Sequence, residues 1–114
     1  MLNRAHRFHG RTSLNRAYKY GKTVRSQLLT LKFAPNPKRT GYRAAVVISR
    51  KINKSSVTRN RIRRKIYETI RQYDKQIEGG FDLIFNVYSD EIANMDINQV
   101  SDLIGVLLKQ AKII

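Results

Sequence analysis

The 114-residue sequence has no cysteine, no tryptophan and only two prolines. The absence of cysteine excludes disulfides and thiolate chemistry, which favours a reducing, cytoplasmic setting. No apolar run approaches the ~18 residues that a membrane span needs, so no membrane partner is expected. Hydrophobic residues make up 41% of the chain, enough for one modest core. The sequence therefore predicts one domain over 1–114, with a flexible basic segment at 1–11.

Acidic residues are missing from the first 67 positions, which carry 19 lysines and arginines. All eight acids lie at Glu68 or later, and the whole chain has a formal net charge of +15. Such one-sided charge is typical of a protein that binds a polyanion, with nucleic acid ahead of anionic lipid. An organellar transit peptide is disfavoured because the acid deficit extends far beyond such a segment. A surface that serves solubility alone would not need this imbalance.

Hydrophobic periodicity predicts six elements in the order helix, strand, strand, helix, strand, helix. In the first strand, Gln27, Leu29, Leu31 and Phe33 are predicted to share one face, opposite Thr30 and Lys32. The order of elements predicts an α+β fold, a two-layer sandwich of a small sheet with helices. The predicted ranges are a helix in 12–21, strands at 24–33 and 42–49, a helix from Ser55 or Ser56 to the "EGG" of 78–80, a strand at 81–88, and a helix from Asp96 with a capping-box Gln99.

The most basic element is the predicted helix that begins near Ser55. Ile62, Ile66 and Ile70 recur in it at helical spacing and form a core-facing stripe. A polar face that includes Arg61 and Arg64 falls on the opposite side. The first turns hold four arginines and no carboxylate, although a helix start favours acids. Bound phosphates would reverse these repulsions, so the face is predicted to bind nucleic acid, DNA or RNA.

The segment "TRNRIRRKIYETIR" at 58–71 resembles the signature of the bacterial ribonuclease P protein subunit. That signature reads roughly s-K-K-x-G-x-A-V-x-R-N-R-x-K-R-x-x-R-E. Positions 49–51 match its start, 59–61 match R-N-R, and Glu68 matches its final glutamate. "HRFHGRTSLNRAYKYGKTVRS" and "GGFDLIFNVY" resemble the flanking helix and strands of the family. The resemblance therefore covers nearly the whole chain in order and spacing.

This resemblance implies a fold and a set of partners. The fold is a ribosomal S5 domain 2-like sandwich, α-β-β-(β)-α-β-α, with a small mixed sheet and a left-handed βαβ crossover around the basic helix. In the family, an RNA subunit removes the 5′ leader of precursor tRNA, while the protein subunit raises substrate affinity. The implied partners are ribonuclease P RNA and precursor tRNA, with one protein monomer per RNA. Mg²⁺ is held mainly by the RNA subunit and substrate, and no organic cofactor is implied.

The resemblance and the charge pattern together predict two binding sites. The residues predicted to bind the RNA subunit are Arg50, Lys51, Lys54, Arg59, Asn60, Arg61, Arg63, Arg64 and Lys65. The leader is predicted to lie in a cleft between the N-terminal helix and one face of the sheet. The residues predicted to contact it are Phe8, Arg11, Leu14, Tyr18, Thr30, Lys32 and Arg43. The chain departs from the family at Leu14 (usually Phe), Tyr67 (usually Arg) and Thr30 (an aromatic in some members).

Two other functions fit part of the pattern. A ribosomal or other structural RNA-binding protein would carry the same basic face without an effect on tRNA maturation. A stand-alone nuclease is disfavoured because the eight carboxylates show no metal-ligand spacing and the two histidines lie in the basic N-terminal stretch. The sequence therefore predicts no catalytic and no metal-binding residues in the chain itself.

Overall fold

The computed structural model describes residues 21–114 and confirms the α+β class. The helix predicted in 12–21 lies outside these residues except for Gly21, and the predicted site residues Phe8, Arg11, Leu14 and Tyr18 lie outside them too. The described elements are strands β1 (Lys22–Arg25), β2 (Leu29–Pro35), β3 (Arg43–Val47) and β4 (Phe81–Val87), helices α1 (Ser56–Gln72) and α2 (Ile97–Gln110), and a 3₁₀ helix (Asp90–Asn94).

The four strands form one mixed sheet in the order β1-β2-β4-β3. The β1–β2 and β2–β4 pairs are antiparallel, whereas β3 and β4 are parallel. Parallel neighbours need a crossover connection, and α1 provides it between β3 and β4. The basic helix is therefore the helix of a βαβ unit, as the resemblance implies.

The strand predicted at 24–33 is in fact two strands, because the chain reverses direction at Ser26–Leu28. The Ser26 N–H donates to the Leu29 carbonyl at 3.0 Å, and the Ser26 hydroxyl donates to the same oxygen at 2.8 Å. Gln27 lies in this turn and does not share a strand face with Leu29 and Leu31, so that part of the prediction is wrong. An alternating pattern can continue through a tight turn, which is why it did not reveal the reversal.

The two faces of the sheet differ in chemistry. The inner face carries Leu31, Val46 and Phe85, and these pack in one cluster with the stripes of both helices. The predicted stripe of α1 is confirmed, since Ile62, Ile66 and Ile70 are fully buried. Side chains alternate along a strand, so the outer face carries the intervening residues, among them Thr30, Lys32, Asn86, Thr23 and Arg25.

Helix starts follow the predicted capping residues. Ser55 caps α1, and its hydroxyl accepts the Thr58 N–H at 3.3 Å. Asp96 and Gln99 form the predicted capping box at the start of α2. The first turn of α1 contains no acidic residue, so the helix supplies no carboxylate of its own to offset the positive end of its dipole.

The end of α1 comes earlier than predicted, at Gln72 rather than at the glycines of 78–80. Tertiary contacts hold the two residues that follow. The Tyr73 hydroxyl donates to the Ser101 carbonyl of α2 at 2.8 Å, and the Tyr42 hydroxyl donates to the Asp74 carboxylate. Burial and the neighbouring Asp74 raise the pKa of Tyr42 well above its ordinary value, so this donor keeps its proton.

Strand β3 forms one edge of the sheet. The hydroxyl of Tyr67, on α1, accepts the Val46 N–H of this strand at 3.3 Å. Tyr67 also packs half-buried against the core cluster. The position at which the family signature carries a cation therefore holds a side chain that binds the edge of the sheet.

Candidate nucleic-acid interface

The exposed side of α1 presents the cations that the sequence predicted there. Asn60, Arg61 and Arg64 are exposed, and they lie opposite the buried stripe of isoleucines. Among residues 21–114, the ion pairs join Arg43 to Asp82 and Arg71 to Glu68, so neither Arg61 nor Arg64 has a carboxylate partner there. Exposed guanidiniums without carboxylate partners can bridge phosphate oxygens without first breaking an ion pair.

The loop before α1 extends this basic surface. Arg50, Lys51 and Lys54 are exposed, and together with Ser56 and Arg59 they line a hollow of about 560 Å³. The cations of the loop and those of the helix start therefore lie around one concave surface. We call Arg50, Lys51, Lys54, Arg59, Asn60, Arg61, Arg63 and Arg64 the basic face.

Two arginines of the basic face also organise it. The Arg59 guanidinium donates to the carbonyls of Asn53 and Lys54 at 2.8 and 3.0 Å, which ties the loop to the helix. The Arg63 guanidinium donates to the Asn60 side-chain oxygen at 3.0 Å. The Asn60 amide group therefore keeps its two N–H donors for other acceptors. Part of the surface is thus held in place before any ligand binds.

Lys65, which was predicted to bind the RNA subunit, is hydrogen-bonded within the chain. Its ammonium donates to the carbonyls of Ile92, Ala93 and Met95 at 3.2, 2.8 and 2.7 Å. An ammonium has three hydrogens, so these bonds use its whole donor capacity. Lys65 therefore fastens the end of the 3₁₀ helix to α1, and we leave it out of the basic face.

A second candidate surface is a hollow of about 220 Å³ on the outer face of the sheet. The predicted leader contacts Thr30 and Lys32 both line it. The structure adds residues that sequence reasoning did not select, namely Thr23, Arg25, Asn86 and Tyr88. The sequence did not reveal these residues because it does not show how the strands pair. The observed pairing places Arg25 opposite Thr30 and Thr30 opposite Asn86. We call these six residues the sheet hollow.

Arg43 was predicted to join Thr30 and Lys32, but it does not line the sheet hollow. Its guanidinium donates two hydrogen bonds to the Asp82 carboxylate, at 2.9 and 3.0 Å. The Asp82 side chain is 4% exposed, and the Asn36 amide also donates to it, at 3.2 Å. The bidentate pair gives Arg43 a structural role in the parallel β3–β4 ladder, where the two residues face each other.

The described residues were also compared with the requirements of a metal site and of a membrane-spanning helix. No three histidine, cysteine, aspartate or glutamate side chains within 21–114 come close enough to hold a metal ion. Nor does any helix in that range have the length and apolar character needed to cross a membrane. The chemistry that these residues offer is therefore that of cations, amides and hydroxyls arranged for an anionic partner.

Comparison with known proteins relates the chain to one protein family. The family model for ribonuclease P matches residues 2–112. The "Ribonuclease P protein component" of Chloroflexus aurantiacus is 33% identical over 110 residues, which cover 96% of this chain and 80% of that protein. The component from Caldanaerobacter subterraneus is 35% identical over 95 residues, covering 83% of this chain and 79% of that protein.

Solved structures of similar fold come from the same family. The RNase P protein of Staphylococcus aureus superimposes with a TM-score of 0.84 at 24% identity, covering 96% of this chain and 98% of that one. The Thermotoga maritima protein gives a TM-score of 0.79 at 24% identity, covering 90% and 96%. The match over almost the full sequence, and relatives a third identical, establish that this chain belongs to the ribonuclease P protein family.

Proposed function

We propose that this chain is the protein subunit of a ribonuclease P ribonucleoprotein that removes the 5′ leader of precursor tRNA. Family membership implies a part in an RNA-cleaving complex. The basic face supports the proposal that the chain binds ribonuclease P RNA. Exposed arginines of this face have no ion-pair partner within residues 21–114, and they lie around the start of α1, whose first turn has no acidic residue. In this proposal one copy of the chain binds one ribonuclease P RNA in the cytoplasm, through phosphate contacts of the basic face.

Magnesium in this proposal belongs mainly to the RNA subunit and its substrate. The described residues do not fit a magnesium site, because they offer no cluster of three ligating side chains and the basic face is cationic. The chain would contribute affinity and orientation instead. Its cations would offset phosphate repulsion between the RNA subunit and the precursor, and the sheet hollow would contact the leader.

The function is tested by reconstitution. We expect the purified chain alone to leave precursor tRNA intact, and the chain with its cognate RNA subunit to cleave at a lower Mg²⁺ concentration than the RNA subunit alone. The measurement is the rate of 5′-leader release across a Mg²⁺ series. Site-specific cleavage by the RNA-free chain would overturn the proposal. Tight RNA binding without any acceleration would instead favour a structural RNA-binding protein.

The role of Lys65 gives a separate prediction. Lys65→Met removes three donors from main-chain carbonyls while keeping an apolar stem, so the free energy of unfolding should fall by about 1–3 kcal/mol. The salt dependence of RNA binding should stay unchanged, because this ammonium is already bonded. Urea unfolding and RNA titrations at several salt concentrations check both points. A clearly smaller salt slope in the folded variant would place Lys65 back among the phosphate contacts.

A further inference from the structure

Asn53 lies in the loop between β3 and α1 and makes three connections there. Its side-chain oxygen accepts the Ser55 N–H at 2.9 Å, an Asx turn that leads into α1. Its main-chain carbonyl accepts a hydrogen bond from the Arg59 guanidinium at 2.8 Å. Its side-chain amide donates to the Asp90 carboxylate at 3.0 Å. One residue thus connects this loop both to the start of α1 and to the 3₁₀ helix.

The 3₁₀ helix on the other side of this bond is itself held in place. Lys65 donates three hydrogen bonds to main-chain carbonyls at its end. The Ser89 hydroxyl accepts the Glu91 N–H at 3.2 Å and caps its start. Two of its five residues are buried. The bond from Asn53 to Asp90 therefore ties an exposed loop to a fixed part of the fold.

The charge of Asp90 is unfavourable for the partner that the basic face suits. Its carboxylate is exposed and is hydrogen-bonded to the loop that presents Arg50, Lys51 and Lys54. It forms no ion pair within residues 21–114. A carboxylate at the border of a phosphate-binding surface repels the phosphates. If Asp90 acted through its charge alone, it would therefore weaken binding, whereas ordering the loop would strengthen it.

We propose that Asp90 is a positioning residue for the RNA subunit. Through Asn53 it holds the loop at 50–54 in the conformation that binds, and this ordering adds more affinity than the repulsion removes. A loop that is already ordered loses less conformational entropy when it binds. The inference rests on the proposed function, because it takes ribonuclease P RNA as the partner. It predicts a sign: removing this acid weakens binding to a polyanion, the opposite of what charge alone dictates.

The test compares three variants of the full chain in equilibrium titrations with the cognate RNA subunit. Asp90→Ala removes the charge and the acceptor, so affinity should fall about three- to tenfold, the range for one net hydrogen bond. Asp90→Asn removes the charge but keeps an acceptor for Asn53, so affinity should equal or exceed that of wild type. Glu91→Ala is the matched control. It removes an exposed carboxylate that has no ion pair within residues 21–114, so affinity should rise slightly.

A double-mutant cycle tests whether Asp90 acts through Asn53. When Asp90→Ala is added to Asn53→Ala, binding should weaken no further, because the bond between the two side chains is already lost. The slope of log affinity against log salt should be the same in Asp90→Ala and wild type, since no cation is removed. Because Asp90 is exposed, the urea concentration at which the variant unfolds should change little.

Hydrogen exchange measures the order of the loop directly. In the free chain, the Ser55 amide should exchange faster in Asp90→Ala than in wild type, because the Asx turn loses its support. In the complex with the RNA subunit the difference should disappear, since the bound RNA then orders the loop. Equal exchange in the two free chains would contradict the positioning role.

The binding outcomes separate the inference from the proposed function. If wild type binds ribonuclease P RNA no better than an unrelated RNA of equal length, the proposed function fails. If wild type binds selectively but Asp90→Ala binds as tightly or more tightly, the positioning role is overturned while the function stands. An Asp90→Asn protein as weak as Asp90→Ala would also overturn it, because the charge rather than the hydrogen bond would then matter.

Discussion

Replacing Arg61 and Arg64 together with alanine is expected to weaken binding to the cognate RNA subunit by about a hundredfold at constant salt. The reason is that a hydrogen bond to a charged group contributes about 1.5–3 kcal/mol, and losing two of them at the low end of that range, as expected for exposed groups, gives this factor. Both side chains are exposed and neither has a carboxylate partner within residues 21–114, so their loss should leave the fold intact. Equilibrium titration of the RNA subunit measures the effect.

The salt dependence identifies the kind of contact. Each lost phosphate contact should lower the slope of log affinity against log salt by about 0.7–0.9. Lys75→Ala with Lys109→Ala removes the same charge from exposed positions outside the basic face and is the matched control. If both double variants gave the wild-type slope, the basic face would not be the phosphate-binding surface. If both lowered it equally, overall charge rather than this face would govern binding.

Replacing Asp82 with alanine is expected to lower the free energy of unfolding by about 3–5 kcal/mol, as for other buried pairs that lose one partner. The Asp82 side chain is 4% exposed, and it accepts hydrogen bonds from the Arg43 guanidinium and the Asn36 amide. Its removal takes this shared acceptor away from the Arg43 guanidinium and the buried Asn36 amide. Urea unfolding followed by circular dichroism measures the change.

Two further substitutions test this explanation. Asp82→Asn keeps the volume and part of the hydrogen bonding, so it should lose less stability than Asp82→Ala. Glu78→Ala removes an exposed acid nearby in sequence and should change stability by less than about 0.5 kcal/mol. An Asp82→Ala protein as stable as wild type would contradict the structural role of the pair. Arg43 would then again be a candidate for the leader site.

Features set by short-range periodicity were predictable from the sequence. The stripe of Ile62, Ile66 and Ile70 repeats every four residues, and the pair Asp96 and Gln99 has the spacing of a capping box. Each depends only on residues within one or two turns of a helix. For the same reason the basic face could be recognised, because Arg61 and Arg64 lie opposite that stripe in any helix of this sequence.

Features that depend on distant partners were not predictable. Lys65 binds carbonyls 27 to 30 positions away, and Arg43 binds a carboxylate 39 positions away. In the sequence, both look like any other cation on a basic surface. Tyr88 was read only as the last residue of a strand, since its place at the sheet hollow requires the β1–β2 turn that the alternating pattern concealed. The contributions of Phe8, Arg11, Leu14 and Tyr18 stay predictions.

The bond between Tyr67 and the edge strand bears on how copies of this chain behave before they meet RNA. An edge strand exposes main-chain donors on which a second molecule can build, and this is a common start of aggregation. The Val46 N–H is one such donor, and the Tyr67 hydroxyl already accepts it. The net charge of +15 also makes the copies repel one another. The hydrogen bond between Val46 and Tyr67 therefore removes one donor that a second molecule could pair with. The positive charge of each copy also opposes their approach over longer distances.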